Sequence, residues 1–202
     1  MTLDQYRSAV SGAVEPMVDA AERVGLTPNA VSVAAMGLAL LAGAAFALAG
    51  RWPLLYLVGA VCVFLNGSLD VLDGELARRL GTASAFGDLL DHVLDRYADI
   101  AVIAGLAAGV GQYALGLAAV TGVLMTSYLG TQAQAVGLDR VYGGLVGRAD
   151  RLVLVAVTAT VAAFVGGSLY GLTAVGWLLV VFAVVGHVTA LQRFYYALRD
   201  LG

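Results

Sequence analysis

The sequence has little charge and no lysine. Charged residues make up 12% of its 202 residues, and all 11 basic residues are arginine. A soluble domain carries charge on about a quarter of its residues, so this composition argues against one. With a net charge of -3 there is no broad basic surface for nucleic acid. The single cysteine, Cys62, excludes a disulfide framework and a cysteine-based metal site.

Four long stretches lack Asp, Glu, Lys and Arg altogether: residues 24–50, 52–69, 100–138 and 152–192. A helix needs about 20 apolar residues to cross the hydrocarbon core. The first two stretches suit one helix each and the last two suit two each. We therefore expect an all-α, multi-pass membrane protein that forms one membrane domain over residues 1–202. The six transmembrane helices are predicted at about 29–49, 53–80, 85–108, 113–135, 148–166 and 169–195.

Residues 2–22 mix apolar and charged side chains at helical spacing. This pattern predicts an N-terminal amphipathic helix on the membrane surface, with a solvated helix as the alternative. The N-terminus has no basic segment ahead of an apolar one, so no cleaved signal peptide is expected. Most arginines fall on the side that holds both termini, which the positive-inside rule makes cytoplasmic in a cell-membrane protein.

Six of the 14 acidic residues fall between residues 70 and 95. Asp70 and Asp73 share one helix face, and Asp91 and Asp95 share a face of the next helix. A short turn joins these helices, so the four carboxylates can converge at the cytoplasmic edge. Without a partner they would repel one another, and a divalent cation removes that conflict. All-oxygen ligands favour Mg²⁺ or Mn²⁺, and a pair of such ions is suited to phosphoryl transfer.

Two further residues of this stretch predict a phosphate ligand. Gly74 lies inside a helix, where its missing side chain can admit a ligand close to the backbone; tight helix packing is the alternative. Arg78 follows one turn later and can neutralise a phosphate.

The spacing of these residues is that of a known signature. It reads Asp70-x2-Asp73-Gly74-x2-Ala77-Arg78-x8-Gly87-x3-Asp91-x3-Asp95. At every position it resembles the signature of the CDP-alcohol phosphotransferases. The resemblance extends over almost the whole chain, including Gly-Leu-Thr-Pro-Asn at residues 25–29, ahead of the first predicted span.

The resemblance implies a reaction and a set of roles. Enzymes of this family transfer a phosphatidyl-type group from a CDP-linked lipid to the hydroxyl of an alcohol, and they release CMP. The four aspartates would hold two Mg²⁺ or Mn²⁺ ions, and Asp95 would also be the catalytic general base. A homodimer is implied as well. The CDP-lipid, either CDP-diacylglycerol or CDP-archaeol, would be bound by Asn29, Ser32, Gly74, Arg78 and Ser84.

Within the family, the second half of the chain most resembles the synthases of phosphatidylinositol phosphate and archaetidylinositol phosphate. Arg148, Arg151 and Arg193 would then bind the phosphate of an inositol phosphate acceptor; positive-inside anchoring is their alternative role. That branch usually has a Lys and an Arg where this chain has Gly130 and Gln132. Glycerol phosphate, serine and other polar alcohols therefore remain open as acceptors.

Acidic residues within membrane spans are also typical of ion and proton transporters, which form the rival class. A transporter predicts acids spread through the depth of the bilayer, whereas these cluster at one end beside arginine. An intramembrane aspartyl protease is a weaker rival, since it leaves Arg78 unexplained. Asp88 and Asp99 lie outside the signature, and Asp99 has no role assigned from the sequence.

Overall fold

The computed structural model describes residues 7–138 and 146–202. These residues form seven helices and no strand of a sheet. The helices are α1 (Arg7–Arg23), α2 (Pro28–Ala49), α3 (Leu55–Arg79), α4 (Ala85–Gly109), α5 (Tyr113–Ala135), α6 (Arg148–Phe164) and α7 (Ala174–Leu201). The all-α prediction is therefore confirmed for the described part of the chain.

Four of these helices, α2, α3, α5 and α7, are long and apolar enough to cross a membrane. Helix α4 has 25 residues, but Asp95, Arg96 and Asp99 lie in its middle. Helix α6 has only 17 residues and begins with charged ones. The four helices support a membrane protein, while the full set of six spans stays a prediction.

Helix α1 uses its apolar side to pack against the rest of the protein. Val14, Val18 and Ala21 are buried against Val31 of α2 and against Leu72 and Leu76 of α3. At the end of α3, Arg79 pairs with Asp19 and Glu22 of α1. The N-terminal helix is therefore docked beside the acidic stretch. Its position on a membrane surface stays a prediction, and residues 2–6 of the predicted helix lie outside the described part.

Helices α2 and α4 run parallel and in close backbone contact. A Cβ at Gly105 would lie 2.2 Å from the carbonyl oxygen of Gly43, and one at Gly50 would lie 2.2 Å from that of Gly109. Small residues allow such an approach in membrane helices. Because of this contact, the beginnings of α2 and α4 lie side by side at the end of the bundle that carries the acidic residues.

The second half of the bundle is attached through other helix pairs. Helix α5 packs against α7, and α6 packs against α3. Thr126 of α5 donates a hydrogen bond to the carbonyl of Gly186 in α7, at 2.8 Å. His187 lies 3.4 Å from the hydroxyl of Thr121 through its Nε2 atom, so it is a hydrogen-bonded packing residue. These contacts bring the first turn of α6 against the acidic end of α3 and α4.

The last helix begins at Ala174, five residues after its predicted start. Tyr170 and Gly171 have φ angles of 51° and 79°, which place them in a turn. The side chain of Thr173 then caps the helix by accepting a hydrogen bond from the backbone N–H of Gly176, at 3.1 Å. Apolar residues 169–172 had the composition of a span, but the local turn and the cap set the boundary.

The close approach of α2 and α4 can be tested with Gly105→Ala. The added methyl has no room against the Gly43 carbonyl, so the free energy of unfolding should fall by about 1–3 kcal/mol. The matched control is Gly37→Ala in α2, where a Cβ meets nothing within 4 Å. It should keep or raise stability by about 0.5–1 kcal/mol. Thermal unfolding in detergent measures both; equal stability of the two variants would contradict the close contact.

Candidate active site at the meeting of helices α3, α4 and α6

A short turn brings the two acidic helices together. Gly81 has a φ of 64°, a conformation that favours glycine. Ser84 then caps α4, and its hydroxyl accepts a hydrogen bond from the N–H of Gly87 at 3.1 Å. The chain reverses direction within five residues, so the carboxylates near the end of α3 face those near the start of α4.

Three carboxylates meet between these helices. One oxygen atom each from Asp70, Asp91 and Asp95 lies within 4.8 Å of the other two, and all three residues are half-buried. Like charges this close in an apolar setting repel one another, and a nearby positive charge relieves that repulsion. A set of carboxylate oxygens at this spacing suits a hard divalent ion. The three residues therefore form a candidate metal centre.

Arg148 of α6 reaches into the same cluster. Its Nη1 atom lies 2.6 Å from Asp70, and its Nη2 atom lies 2.7 Å from Asp95. Two such contacts from one guanidinium are strong, charge-assisted interactions. The sequence assigned Arg148 to the acceptor, whereas the structure places it directly between two of the predicted metal ligands.

Asp73 lies apart from the other three carboxylates. It is buried and accepts a hydrogen bond from the hydroxyl of Ser32 in α2, at 2.6 Å. Residues three apart on an α-helix are rotated by about 60° from one another. Asp70 consequently faces α4 and α6, while Asp73 turns towards α2. Convergence of all four carboxylates was expected, and the structure brings three of them together.

The predicted CDP-lipid residues flank the same turn. A Cβ at Gly87 would lie 3.4 Å from the hydroxyl of Ser84 and 3.6 Å from the side-chain oxygen of Asn29. Asn29 and Ser84 therefore lie together, and both are exposed. Arg78 is also exposed and pairs with Glu75, which directly follows Gly74. Exposed polar residues of α2, of α3 and of the cap before α4 thus lie at the end of the bundle that carries the carboxylates.

The other two acceptor candidates are held by different partners. Arg151 is buried and pairs with buried Asp99 at 3.0 Å. Arg193 donates a hydrogen bond from Nη1 to the backbone carbonyl of Thr126, at 2.7 Å. The structure therefore explains Asp99, which the sequence left without a role. Asp99 lies four residues after Asp95 on the same helix face, which could have indicated a role at the site. Its partner, Arg151, is 52 residues away in the chain and cannot be found from this spacing.

Charges of opposite sign alternate through the site. Arg96 lies 3.5 Å from Asp95 and 3.9 Å from Asp99, and so links the candidate metal centre to the Asp99–Arg151 pair. Arg96 had no predicted role. The complete order is Asp70, Arg148, Asp95, Arg96, Asp99 and Arg151. Three carboxylates and three guanidinium groups therefore balance one another where burial of a lone charge would be costly.

The family model for CDP-alcohol phosphatidyltransferase matches residues 25–189. The chain belongs to this family. It is therefore a membrane-bound transferase of phospholipid biosynthesis, and the transporter and protease alternatives fall away. The match includes the signature between Asp70 and Asp95 as well as Arg148 and Arg151.

Two named relatives are similar to this chain over nearly its full length. The chain is 30% identical to archaetidylinositol phosphate synthase of Methanothermobacter thermautotrophicus, over 98% of this chain and 95% of that one. It is 33% identical to phosphatidylinositol phosphate synthase of Cutibacterium acnes, over 95% of each chain.

Crystal structures of the Mycobacterium tuberculosis phosphatidylinositol phosphate synthase share the fold. The structure with CDP-DAG bound has a TM-score of 0.76 at 28% identity and covers 90% of this chain and 92% of that one. The structure of the same enzyme with manganese and citrate has a TM-score of 0.77, and it covers 90% of this chain and 87% of that one. Each of these proteins is similar in nearly full length to this chain.

The buried Asp99–Arg151 pair predicts a large loss of stability when one partner is removed. Asp99→Ala leaves the Arg151 charge buried without its carboxylate, which should cost about 3–5 kcal/mol of unfolding free energy. Asp200→Ala is the control, because Asp200 is exposed at the end of α7 and should change stability by less than about 0.5 kcal/mol. Denaturant unfolding in detergent measures both. A loss for Asp99→Ala no larger than that of the control would contradict a buried ion pair.

Proposed function

We propose that this protein transfers a phosphatidyl-type group from a CDP-linked lipid to a hydroxyl of inositol phosphate and releases CMP. The acceptor oxygen bonds to the lipid-side phosphorus, and the bond from that phosphorus to the CMP oxygen breaks. The observation that carries the proposal is the group formed by Asp70, Asp91 and Asp95 with Arg148. These four side chains place candidate metal ligands and a positive charge, which together suit a phosphate group, at one end of an otherwise apolar bundle.

The carboxylates fit divalent cations by their chemistry and spacing. Asp70, Asp73, Asp91 and Asp95 would hold two Mg²⁺ or Mn²⁺ ions. When bound, the ions stabilise negative charge on the diphosphate and on the departing CMP. The relative solved with manganese supports the choice of metal. Asp73, which the Ser32 hydroxyl holds towards α2, would turn towards the other three carboxylates to share these ions.

Asp95 would act as the general base. It would accept the proton of the acceptor hydroxyl as that oxygen attacks phosphorus, which raises the rate by general base catalysis. Its side chain is 15% exposed and lies between Arg148 and Arg96. The two guanidinium groups limit the directions in which the carboxylate can turn.

The donor would lie across the beginnings of α2 and α4. Asn29, Ser32, Gly74, Arg78 and Ser84 would contact its cytidine diphosphate, and the exposed position of Arg78 leaves it accessible to a phosphate. The relative solved with CDP-DAG supports a CDP-linked lipid as donor. Since the relatives include both archaetidyl and phosphatidyl enzymes, CDP-archaeol and CDP-diacylglycerol are both suitable.

The acceptor phosphate would be bound by Arg148, Arg151 and Arg193. The relatives that make inositol phosphate lipids support this acceptor. Glycerol phosphate, serine or another polar alcohol is the alternative. It is favoured by Gly130 and Gln132 of α5, which offer no positive charge where a Lys and an Arg are usual in the branch.

The remaining parts of the proposal concern the setting of the enzyme. It would have six spans and an amphipathic N-terminal helix, reside in the cell membrane as a homodimer, and open its site to the cytoplasm. The lipid chains of the donor would lie against the spans, and the polar acceptor would enter from the water.

The reaction is tested by CMP release from purified protein in lipid and detergent. CDP-diacylglycerol or CDP-archaeol is supplied with Mn²⁺ or Mg²⁺ and with inositol phosphate, glycerol phosphate or serine. Release should depend on the acceptor, be highest with inositol phosphate and stop when EDTA removes the metal. A preparation of Asp91→Asn controls for contaminating enzymes. Absence of release with every acceptor would refute the proposal.

The role of Asp95 is tested with Asp95→Asn. This change keeps the size of the side chain but removes its ability to accept a proton, so turnover should fall at least about a hundredfold. Binding of the CDP-lipid, measured by titration, should change much less. Asp88→Asn on the same helix is the matched control, because the Asp88 side chain is 79% exposed. Turnover near the control level would remove Asp95 from the general-base role.

A further inference from the structure

The single guanidinium group of Arg148 is required in two places. The proposed function has it bind the phosphate of the acceptor. In the structure its Nη1 and Nη2 atoms instead contact Asp70 and Asp95, at 2.6 and 2.7 Å. Both of these carboxylates are candidate metal ligands. One guanidinium cannot hold both carboxylates and a phosphate in full, so its partners must change when the ligands bind.

The guanidinium of Arg148 differs from those of the other two acceptor candidates in what holds it. Arg151 and Arg193 are both held by groups outside the carboxylate cluster. Arg148 pairs with Asp70 and Asp95, and its buried Nε atom has no partner in the described part of the chain. A ligand that takes these two carboxylates therefore removes the ion pairs that hold Arg148.

A divalent cation on the carboxylate cluster would compete with Arg148 for the same negative charge. The side chains of Asp70, Asp95 and Arg148 are all partly exposed, so solvent and ions can reach them. Positive charges that share the same ligands repel one another. Each ion pair with arginine also reduces the negative charge that a carboxylate offers to a cation. A cation that binds here must therefore weaken or replace the contacts of Arg148.

A released Arg148 would need another anion. Its side chain is only 17% exposed, and a mostly buried guanidinium is costly without an opposite charge. The phosphate of the proposed acceptor supplies that charge, and arginine can donate two parallel hydrogen bonds to it. The same side chain can therefore neutralise the carboxylates in one arrangement and the acceptor in the other.

From these contacts we infer that Arg148 and a divalent cation are alternative partners of Asp70 and Asp95, so that cation binding releases Arg148 to the phosphate of the acceptor. The release to the acceptor rests on the proposed function, because it assumes a phosphorylated alcohol. The consequence is positive coupling. Each ligand raises the affinity for the other by the same factor, since the coupling free energy between two binding sites is reciprocal.

Binding of Mn²⁺ alone tests the competition. Purified protein in detergent is titrated with Mn²⁺, and the free ion is measured by electron paramagnetic resonance. Arg148→Gln removes the positive charge, so the Kd for Mn²⁺ should fall at least about fivefold below that of the wild type. The matched control is Arg199→Gln, which removes one charge at the exposed end of α7. It should change the Kd by less than about twofold.

An unchanged Kd in Arg148→Gln would overturn the inference, and so would a weaker affinity, which would mean that Arg148 orients the carboxylates for the cation. Circular dichroism checks that each variant is folded. If the glutamine variant does not fold, Arg148→Lys takes its place. Lysine lacks the fork that contacts two carboxylates at once, so the Kd should still fall at least about twofold. A Kd equal to that of the wild type would again overturn the inference.

The release of Arg148 is tested by adding inositol phosphate or glycerol phosphate to the same titration. After correction for Mn²⁺ bound by the phosphate ester itself, one of them should lower the wild-type Kd for Mn²⁺ at least about fivefold. Inositol and glycerol without phosphate should have no effect, and Arg148→Gln should not respond to any of these compounds. A wild-type Kd that responds to neither phosphate ester would overturn the coupling.

CMP release separates this inference from the proposed function. If the wild type releases no CMP with any acceptor while Arg148→Gln binds Mn²⁺ more tightly, the proposed function fails and the competition stands. If the wild type releases CMP while Arg148→Gln binds Mn²⁺ no more tightly, the inference alone is overturned.

Discussion

The need to balance buried carboxylates with positive charge controls the arrangement of this protein. Asp70, Asp91 and Asp95 are close enough to repel one another, and the apolar bundle around them screens that repulsion poorly. The guanidinium of Arg148 lowers this repulsion, because it forms ion pairs with both Asp70 and Asp95. Since Arg148 begins α6, this contact also ties the second half of the bundle to the first. The packing of α6 on α3 therefore depends on the same ion pairs that balance the charge of the site.

Glycine makes the other contribution, by controlling how close the helices come. The backbones of α2 and α4 touch at Gly43 and Gly105, which leaves no space for larger side chains between them. The beginnings of both helices are therefore adjacent, and Asn29 and Ser84 both lie next to Gly87. Close packing of two apolar helices thus brings together polar residues that are proposed to bind the cytidine diphosphate. The proposed donor side of the site depends on this contact, whereas the proposed acceptor side depends on how α5, α6 and α7 pack.

The alternating charges connect these two sides. Arg96 lies between Asp95 and Asp99, and Asp99 in turn pairs with Arg151. Each contact in this series is no longer than 3.9 Å. The proposed base and the proposed acceptor site therefore share one set of ion pairs. That arrangement fits a reaction in which the acceptor hydroxyl must lose its proton close to where its phosphate is bound.

The sequence by itself determined the all-helical class, the acidic helix pair and the family, because helical spacing and a signature of eight residues depend only on local order along the chain. It also indicated that Arg148, Arg151 and Arg193 belong to the functional end. Only the tertiary structure decided that Arg148 joins the carboxylates, that Asp73 turns to Ser32, and that Asp99 pairs with Arg151. Those partners are separated by 41 to 78 residues in the chain. Their contacts follow from helix rotation and close packing, which no spacing in the sequence records.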